Sequence, residues 1–181
     1  VGYVYFKVSS GRTVDMDSYV NLGALTGINL QYTTTNVTLR ATDTTYTNLG
    51  LTSINFADPD DSNSGNHYDL SALTATNRAQ FYFEYDNVRA TGGAGNDNFR
   101  INGGLTGTYT LSGGLGNDSL ITHYGNALNI DLQQNTNISG IETFSLNRNE
   151  LHTLLFDDSY FTRGSGITGN TVTVTYAFSG A

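Results

Sequence analysis

The chain has 181 residues, of which 13% are charged, and its 16 acidic residues against 8 basic residues give a net charge of −8. This balance argues against nucleic acid or an anionic membrane as a partner, because both require a positively charged face. The low charged fraction argues against a disordered acidic tail. The chain contains no cysteine, but a domain of this length buries a sizeable core without disulfide bonds.

Alternating runs of β-branched and aromatic residues, separated by Gly, Asn and Asp, recur through the chain and are typical of an all-β protein. The clearest runs predict strands over residues 1–8, 37–40, 81–85 and 171–178. Helical periodicity is nearly absent. Only residues 147–158, where Leu151, Leu154 and Leu155 are spaced i, i+3, i+4, predict a helix of about two turns.

A loose repeat also runs through the chain. The phrase LTGINL at residues 25–30 recurs as LTSINF at residues 51–56 and, more distantly, as ISGIET at residues 138–143. Each copy combines an apolar corner, a turn of small residues and a new strand, as one coil of a parallel β-helix requires. Recurrence at intervals of roughly twenty to fifty residues indicates a solenoid. The alternative is that this phrase is a common way for any chain to leave a turn.

The strongest pattern is a glycine-rich phrase that occurs twice, as TGGAGNDNF at residues 91–99 and as SGGLGNDSL at residues 112–120. Both copies read G-G-x-G-x-D-x-U-x, where U is a large apolar residue expected to turn inward and begin a strand. Glycine admits positive φ and lets successive carbonyl groups point into a small space. The aspartate adds the hard anionic oxygen that Ca²⁺ selects. The alternative is a plain turn without metal, since Gly, Asn and Asp favour turns in any case.

Through these two phrases, residues 92–121 resemble the calcium-binding β-roll of the repeats-in-toxin (RTX) family. The resemblance implies a secreted bacterial protein that folds around calcium outside the cell, with the ion between like turns of neighbouring coils. Carried over to this chain, it implies that Asp97 and Asp118 are carboxylate ligands and that backbone carbonyl groups complete the site. The whole implied set of metal-binding residues is Gly92, Gly93, Gly95, Asn96, Asp97, Gly113, Gly114, Gly116, Asn117 and Asp118.

The chain departs from a regular β-roll in its spacing. Asp97 and Asp118 are 21 positions apart, whereas a coil of two nonapeptides has about eighteen residues. Between them, residues 103–107 read GGLTG, a half-repeat that lacks its aspartate. We therefore expect the two complete turns to stack on one edge, with the opposite edge free of metal.

A second, weaker calcium site is a further prediction for the acidic loop at residues 58–66, which contains Asp58, Asp60 and Asp61. A solvated loop is the alternative. It is favoured because the loop has no glycine at the EF-hand position and no closing glutamate.

Together these patterns predict one all-β domain over residues 1–181, a parallel β-roll or β-helix (solenoid) with calcium-binding turns and alternating strands at both ends. We expect irregular β coils over residues 1–90, the RTX-like repeats over residues 91–121, and irregular coils with a C-terminal strand over residues 122–181. The irregular coils more loosely resemble those that precede RTX repeats in bacterial surface-layer proteins and large adhesins.

Residue patterns of known catalytic sites are missing from the sequence, and we expect no enzymatic activity. His67, His123 and His152 lie far apart, and none belongs to an H-E-x-x-H motif. There is no G-x-S-x-G elbow, P-loop or dinucleotide fingerprint. The acidic residues Asp15 and Asp17 are expected to be exposed turn residues.

The expected function is structural: an extracellular calcium-binding protein that self-assembles into a surface layer, a filament or a biofilm matrix. Residues 1–6 and 171–178 contain neither charge nor proline, the devices that usually block strand edges against pairing with another chain. We expect an extracellular or bacterial cell-surface location. No stretch approaches the ~20 apolar residues of a membrane-spanning helix.

Two alternative functions stay open. One is an adhesin module that binds glycan through tyrosines such as those of residues 81–85, or binds ice through a flat array of Thr171, Thr173 and Thr175. The other is a non-catalytic C-terminal block of a secreted RTX toxin or protease.

Overall fold

The computed structural model describes residues 2–6, 8–19, 25–30, 36–58, 65–83, 88–101, 109–122, 129–132, 137–147, 153–157, 160–161 and 173–177. Within these ranges the chain forms sixteen β-strands, one α-helix that is described over its full length and one 3-10 helix, and Tyr160 and Phe161 are helical as well. In chain order the elements are β1 Gly2–Phe6, β2 Thr13–Asp15, the 3-10 helix Met16–Ser18, β3 Leu25–Leu30, β4 Thr38–Arg40, α1 Asp43–Leu49, β5 Ser53–Asp58, β6 His67–Asp69, β7 Arg78–Phe83, β8 Arg89–Thr91, β9 Asn98–Ile101, β10 Thr110–Ser112, β11 Ser119–Thr122, β12 Asn129–Asp131, β13 Ile138–Ser139, β14 Thr143–Asn147, β15 Thr153–Leu155 and β16 Thr173–Ala177.

These strands form a parallel β-solenoid. The larger sheet, sheet A, has eight strands in the order β1-β3-β5-β7-β9-β11-β14-β16, and sheet B has six strands in the order β2-β4-β6-β8-β10-β13. The chain alternates between the two sheets from β1 to β11, so each of these coils gives one strand to each sheet, and β12 pairs with β15 in a small third sheet. All the described strand pairs are parallel. The prediction of an all-β parallel solenoid with little helix is confirmed.

An inward-facing column of apolar side chains runs along sheet A. Its register places these buried residues at one position of successive strands: Ile28, Phe56, Phe81, Phe99, Leu120 and Phe144. The ring of Phe81 stacks on that of Phe99 with centroids 4.8 Å apart, and its centroid is 5.9 Å from that of Phe56. Because side chains alternate along a strand, parallel pairing stacks like residues of successive coils into such columns. Sheet B closes the core from the other side with Leu39, Tyr68, Leu111 and Ile138.

The helix α1 was not predicted by hydrophobic periodicity. Thr42 caps its N-terminus, and Gly50 ends it with φ of 66°, a left-handed conformation that glycine adopts without strain. Asp17 accepts hydrogen bonds from the N–H and hydroxyl groups of both Thr42 and Thr45, at 2.5 to 3.2 Å. The expectation of an exposed turn residue is therefore wrong for Asp17, which is partly buried and fastens the 3-10 helix to α1, while Asp15 is exposed.

The helix predicted over residues 147–158 is wrong. Asn147 is the last residue of β14, and Thr153–Leu155 forms β15, which pairs with β12. Leu154 packs against the core between two exposed neighbours. A strand forms here because its alternation turns the half-buried Leu154 towards the core, and hydrogen bonds to β12 satisfy its backbone groups. Residues 148–152 and 158–159 lie outside the described residues.

The loose repeat indicates the solenoid correctly but not its register. The phrase aligns Ile28 with Ile54, whereas the strands pair Ile28 with Phe56. A shift of two residues leaves every side chain on its original face, since the period of a strand is two. The third copy begins in β13, a strand of sheet B, and not in sheet A.

We expect Phe81→Ala to lower the free energy of unfolding by about 3–5 kcal/mol, because it removes the central ring of the column and leaves a cavity. Urea unfolding followed by circular dichroism measures this change. Arg89→Ala, on the outward face of sheet B, is the control and should stay within about 0.5 kcal/mol of the unmodified chain. Equal effects of the two substitutions would contradict the column.

Candidate metal site on the stacked turns

The two glycine-rich turns lie on successive coils and stack directly. Leu115 N–H donates to the Gly93 carbonyl at 2.9 Å, and Asn117 N–H donates to Asn96 Oδ1 at 3.0 Å. The apolar residues that follow, Phe99 and Leu120, are paired and fully buried. The predicted stacking of the turns and the inward direction of both apolar residues are confirmed.

Three carboxylates occupy equivalent positions on successive coils, and we call them the carboxylate ladder: Asp97, Asp118 and Glu142. Asp97 Oδ1 accepts from the Ala79 N–H at 2.6 Å, 18 positions earlier. Asp118 Oδ1 accepts from the Asp97 N–H at 2.7 Å, 21 positions earlier. Glu142 Oε2 accepts from the Asp118 N–H at 2.7 Å, 24 positions earlier. Each carboxylate thus binds a backbone donor of the preceding coil.

Glu142 is the residue of this ladder that sequence reasoning missed. It follows Gly140 and Ile141 in a turn that lacks the glycine-rich phrase. Its equivalence to Asp118 appears only in the register, where β11 and β14 pair Ser119 with Thr143.

Two carboxylate oxygens of the ladder are buried without a hydrogen-bond partner, Asp118 Oδ2 and Glu142 Oε1. Asp97 differs, because its second oxygen, Oδ2, accepts from the Gly93 N–H at 2.8 Å. A buried polar atom without a partner is costly, and a charged one more so. Either a proton or a cation at these two oxygens removes that cost.

Glycines bring further oxygen atoms close to the ladder. A Cβ on Gly113 would collide with Asp118 Oδ2 and the Gly140 carbonyl oxygen, and a Cβ on Gly92 would collide with Asp97 Oδ2 and the Gly113 carbonyl oxygen. Any larger residue at these two glycines would therefore push the coils apart. The glycines of the phrase thus permit the close approach of carbonyl and carboxylate oxygens that the sequence predicts.

The pKa values of all three ladder carboxylates are raised, because burial disfavours their charged forms. Burial raises the pKa of Asp97 to about 6, against the hydrogen bonds donated by Ala79 and Gly93. Burial raises the pKa of Asp118 to about 8. The negative charges of Asp97 and Glu142 also raise this pKa, whereas the hydrogen bond from the Asp97 N–H lowers it. Burial also raises the pKa of Glu142. At neutral pH Asp118 therefore holds a proton unless a counter-charge lowers its pKa, whereas Asp97 is largely ionised.

The residues present fit calcium, although the carboxylates form a ladder and not a cage. Among the described residues no three His, Cys, Asp or Glu side chains gather around one point that could hold an ion. An ion would instead take carboxylate oxygen from one or two coils and backbone carbonyl oxygen for the rest, the hard donor set that Ca²⁺ prefers. Calcium binding by the ten predicted residues stays a prediction, with Glu142 as an added candidate.

The structure describes only part of the other predicted sites. Asp58 is the last residue of β5, and Asp60 and Asp61 lie outside the described residues, as do residues 103–107. His67 is in β6 of sheet B, away from the ladder, and His123 and His152 lie outside the described residues. The second calcium site therefore stays a prediction.

Fold and ladder define the chain as a parallel β-solenoid that stacks buried carboxylates along one row of turns. In comparisons with protein families, with curated proteins and with solved structures, no match is found. The resemblance to RTX repeats therefore rests on the two phrases alone. In the part of the chain that the structure describes, no helix is long and apolar enough to cross a membrane.

We expect the chain in chelator to lose stability as the pH rises from about 4 to about 8. Asp97 and Asp118 have raised pKa values, so the folded chain holds protons that the unfolded chain releases. Their contribution to the free energy of unfolding is complete below the ordinary pKa of 3.8. It is lost as the pH rises through about 6 for Asp97 and about 8 for Asp118. Saturating calcium should remove this loss. Urea midpoints at pH 5 and pH 8, with and without calcium, measure it.

His67 acts with the opposite sign in this pH window, because burial lowers its pKa. The control is therefore the double variant Asp97→Asn with Asp118→Asn, and the quantity compared is the difference from the unmodified chain. A double variant with the same pH dependence as the unmodified chain would contradict the assignment.

We expect Glu142→Gln to reduce the calcium-dependent rise in melting temperature and to increase the calcium concentration required several-fold. Glutamine keeps a carbonyl oxygen for the Asp118 N–H but removes the charge that an ion needs. Asp15→Asn, which removes the charge of an exposed carboxylate and keeps an oxygen for the Asp17 N–H, is the matched control and should show the same calcium-dependent rise in melting temperature as the unmodified chain. A normal response of Glu142→Gln would remove Glu142 from the site.

Proposed function

We propose that this chain is an extracellular calcium-binding structural protein that self-assembles end to end. The observation that carries the proposal is the position of the terminal strands. β1 and β16 lie at opposite ends of sheet A, and within the described ranges each pairs with a single strand, β3 and β14 respectively. The outer edge of each strand thus offers backbone N–H and C=O groups to another chain.

The end of the core beside β16 supports the same proposal. Val174 pairs with Phe144 and so continues the inward column of sheet A, yet 43% of its surface is exposed. Solenoids require a polar capping unit where the stack ends, because each coil is covered only by its neighbours. A second copy of the chain, placed with its β1 against β16, would cover Val174 and extend the sheet.

Such an assembly is head to tail, because β1 of one copy contacts β16 of the next and the two strands form different edges of the sheet. Contacts of this kind repeat without closing when the rotation between copies does not form a ring, and they then produce filaments. Two-dimensional layers would require a further lateral contact. A filament or a surface-layer strand is therefore the form that the strand order favours.

Calcium is linked to this edge through Glu142. The Thr173 N–H donates to the Glu142 carbonyl at 2.8 Å, so the last residue of the ladder also holds the first residue of β16. An ion that fixes the Glu142 carboxylate would order the strand that receives the next copy. Extracellular modules bind calcium at roughly 10⁻⁴–10⁻³ M, so calcium outside the cell would suffice and cytosolic calcium would not.

The alternative of ice binding through threonines has limited support. β14 and β16 pair Thr143 with Thr173 and Ser145 with Thr175, which extends the hydroxyl array over two coils. The next strand places Ile121 beside Ser145 and interrupts one of the two rows. Thr171 lies outside the described residues. A flat ice-binding face needs aligned hydroxyl groups on several coils, and the row of Ser145 and Thr175 ends after two.

We expect sedimentation velocity to show a slow monomer in chelator and large species in millimolar calcium. A compact monomer in calcium would contradict assembly and favour the non-catalytic block of a toxin or protease. A species unchanged by calcium would contradict the metal site.

The edge itself is tested by Val174→Pro. Because the Thr173 peptide N–H faces β14 and successive residues face opposite sides, the Val174 N–H faces the free edge. Proline removes this donor and leaves the hydrogen bonds between β16 and β14 intact. The variant should therefore melt like the unmodified chain in chelator, where both are monomeric, and stay monomeric in calcium. Val174→Thr, which keeps the N–H, should still assemble. Large species from the proline variant would show that this edge is not the contact.

A further inference from the structure

The outward face of sheet A carries a groove that begins at β1 and is separate from the carboxylate ladder. Its volume is about 460 Å³, and its lining includes Tyr3, Tyr5, Asn55, Tyr82, Asn98 and Arg100. Sites for small ligands have volumes of about 300–1,000 Å³ and combine apolar walls with a few polar groups. The groove therefore has the size and the mixed chemistry of a binding site.

The register explains the aromatic walls of the groove. Tyr5, Asn29, Ala57 and Tyr82 follow one another in one outward row, so the small side chain of Ala57 leaves room beside the Tyr82 ring. The ring of Tyr3 lies over Gly27, where any Cβ would collide with it. Tyr5 and Tyr3 are 60% and 47% exposed, although aromatic rings usually bury most of their area.

The groove is long enough for a chain-like ligand. Tyr5 is in β1 and Tyr82 in β7, three strand spacings apart in sheet A. At about 4.8 Å per spacing this separation is roughly 14 Å, the length of a short oligosaccharide and more than a single sugar ring requires.

The polar lining of the groove consists mainly of amides. Asn55, Gln80 and Asn98 occupy one outward row on three successive strands, and Gln80 Nε2 is held by the Ser53 hydroxyl at 2.8 Å. An amide both donates and accepts hydrogen bonds, as a sugar hydroxyl does. A row of amides beside flat aromatic rings therefore matches the hydroxyl groups and the apolar faces of pyranose rings.

Arg100 is the one charged side chain among the described residues that line the groove. Its guanidinium lies 5.9 Å from the centroid of the Tyr82 ring, a cation–π arrangement that orients it. No carboxylate is among the described residues that line the groove, and the ion pair found in the same part of the chain joins Arg40 to Asp69 on sheet B. In a chain of net charge −8, a guanidinium without an acidic partner in such a groove suits a carboxylate of the ligand.

We propose that this groove binds an acidic oligosaccharide, with pyranose rings against Tyr3, Tyr5 and Tyr82 and a sugar carboxylate on Arg100. The row of amides binds the hydroxyl groups. None of the described groove residues belongs to the carboxylate ladder or to β16, so the proposal does not depend on calcium binding. Tyr3 and Tyr5 belong to β1, but they contribute outward side chains, whereas assembly is proposed to use the backbone edge of that strand.

The experiment is calorimetric titration of the whole chain with tetragalacturonate and, separately, with its methyl ester. The protein and the ligand are in the same calcium-containing buffer in each titration. The ester has the same shape without the charge. We expect the acid to bind at least tenfold more tightly than the ester. Arg100→Gln should reduce the affinity for the acid to that for the ester, and Tyr5→Ala should weaken the binding of both. Arg89→Gln, on the outward face of sheet B, is the control for charge and should change neither.

The side chains of Arg100, Tyr5 and Arg89 are on the outer faces of the sheets, so we expect the three variants to keep the melting temperature of the unmodified chain. An unchanged melting temperature shows that a variant is folded. Three results would overturn the proposal. These are no binding of the acid at millimolar concentration, equal binding of acid and ester that Arg100→Gln does not alter, and equally tight binding of tetraglutamate, which would indicate an acidic peptide as the partner.

Discussion

The register of sheet A is the constraint on which the rest of the molecule depends. Successive coils at the carboxylate ladder differ in length, with 18, 21 and 24 residues between equivalent positions, yet the strands pair like positions throughout. The variation is therefore absorbed in the connections between strands, where loop length costs little free energy. One register then creates three rows at once: the inward apolar column, the carboxylate ladder at the turns, and the outward rows that form the groove.

The buried carboxylates make close stacking of the coils conditional on a counter-charge. Stacking buries Asp118 and one carboxylate oxygen of the partly exposed Glu142, and it leaves one oxygen of each residue without a donor. A proton or a cation must therefore replace the interactions that solvent supplied. The two solutions differ in their consequence. A proton leaves the ladder neutral and favours acidic conditions, whereas calcium, on the proposed function, would keep the carboxylates ionised at neutral pH and would add bonds to backbone carbonyl groups. On the proposed function, this difference couples compaction to the medium outside the cell.

Local chemistry determined how much the sequence revealed. The glycine-rich phrase fixes a role for each position, so its turn, the inward direction of Phe99 and Leu120 and the stacking of both copies were predictable. Glu142 was not, because its turn shares no phrase with the others and only pairing over 24 positions makes it equivalent to Asp118. The helix α1 has little hydrophobic periodicity, but its caps, Thr42 and Gly50, were readable signals. The repeat was misaligned because a shift of two residues is invisible to a pattern of period two.

Assembly and glycan recognition, proposed on separate evidence, are compatible because they use different surfaces of one sheet. End-to-end contact uses the backbone edges of β1 and β16, while the groove lies on the outward side chains of β1 to β11. Stacking copies along the sheet would place one groove per copy on a continuous face, all facing the same way because the strands are parallel. A polymeric ligand that contacts several grooves is held far more tightly than each groove alone would allow, since later contacts form within an existing complex. Weak binding at one groove would therefore suffice for a filament to retain an acidic polysaccharide.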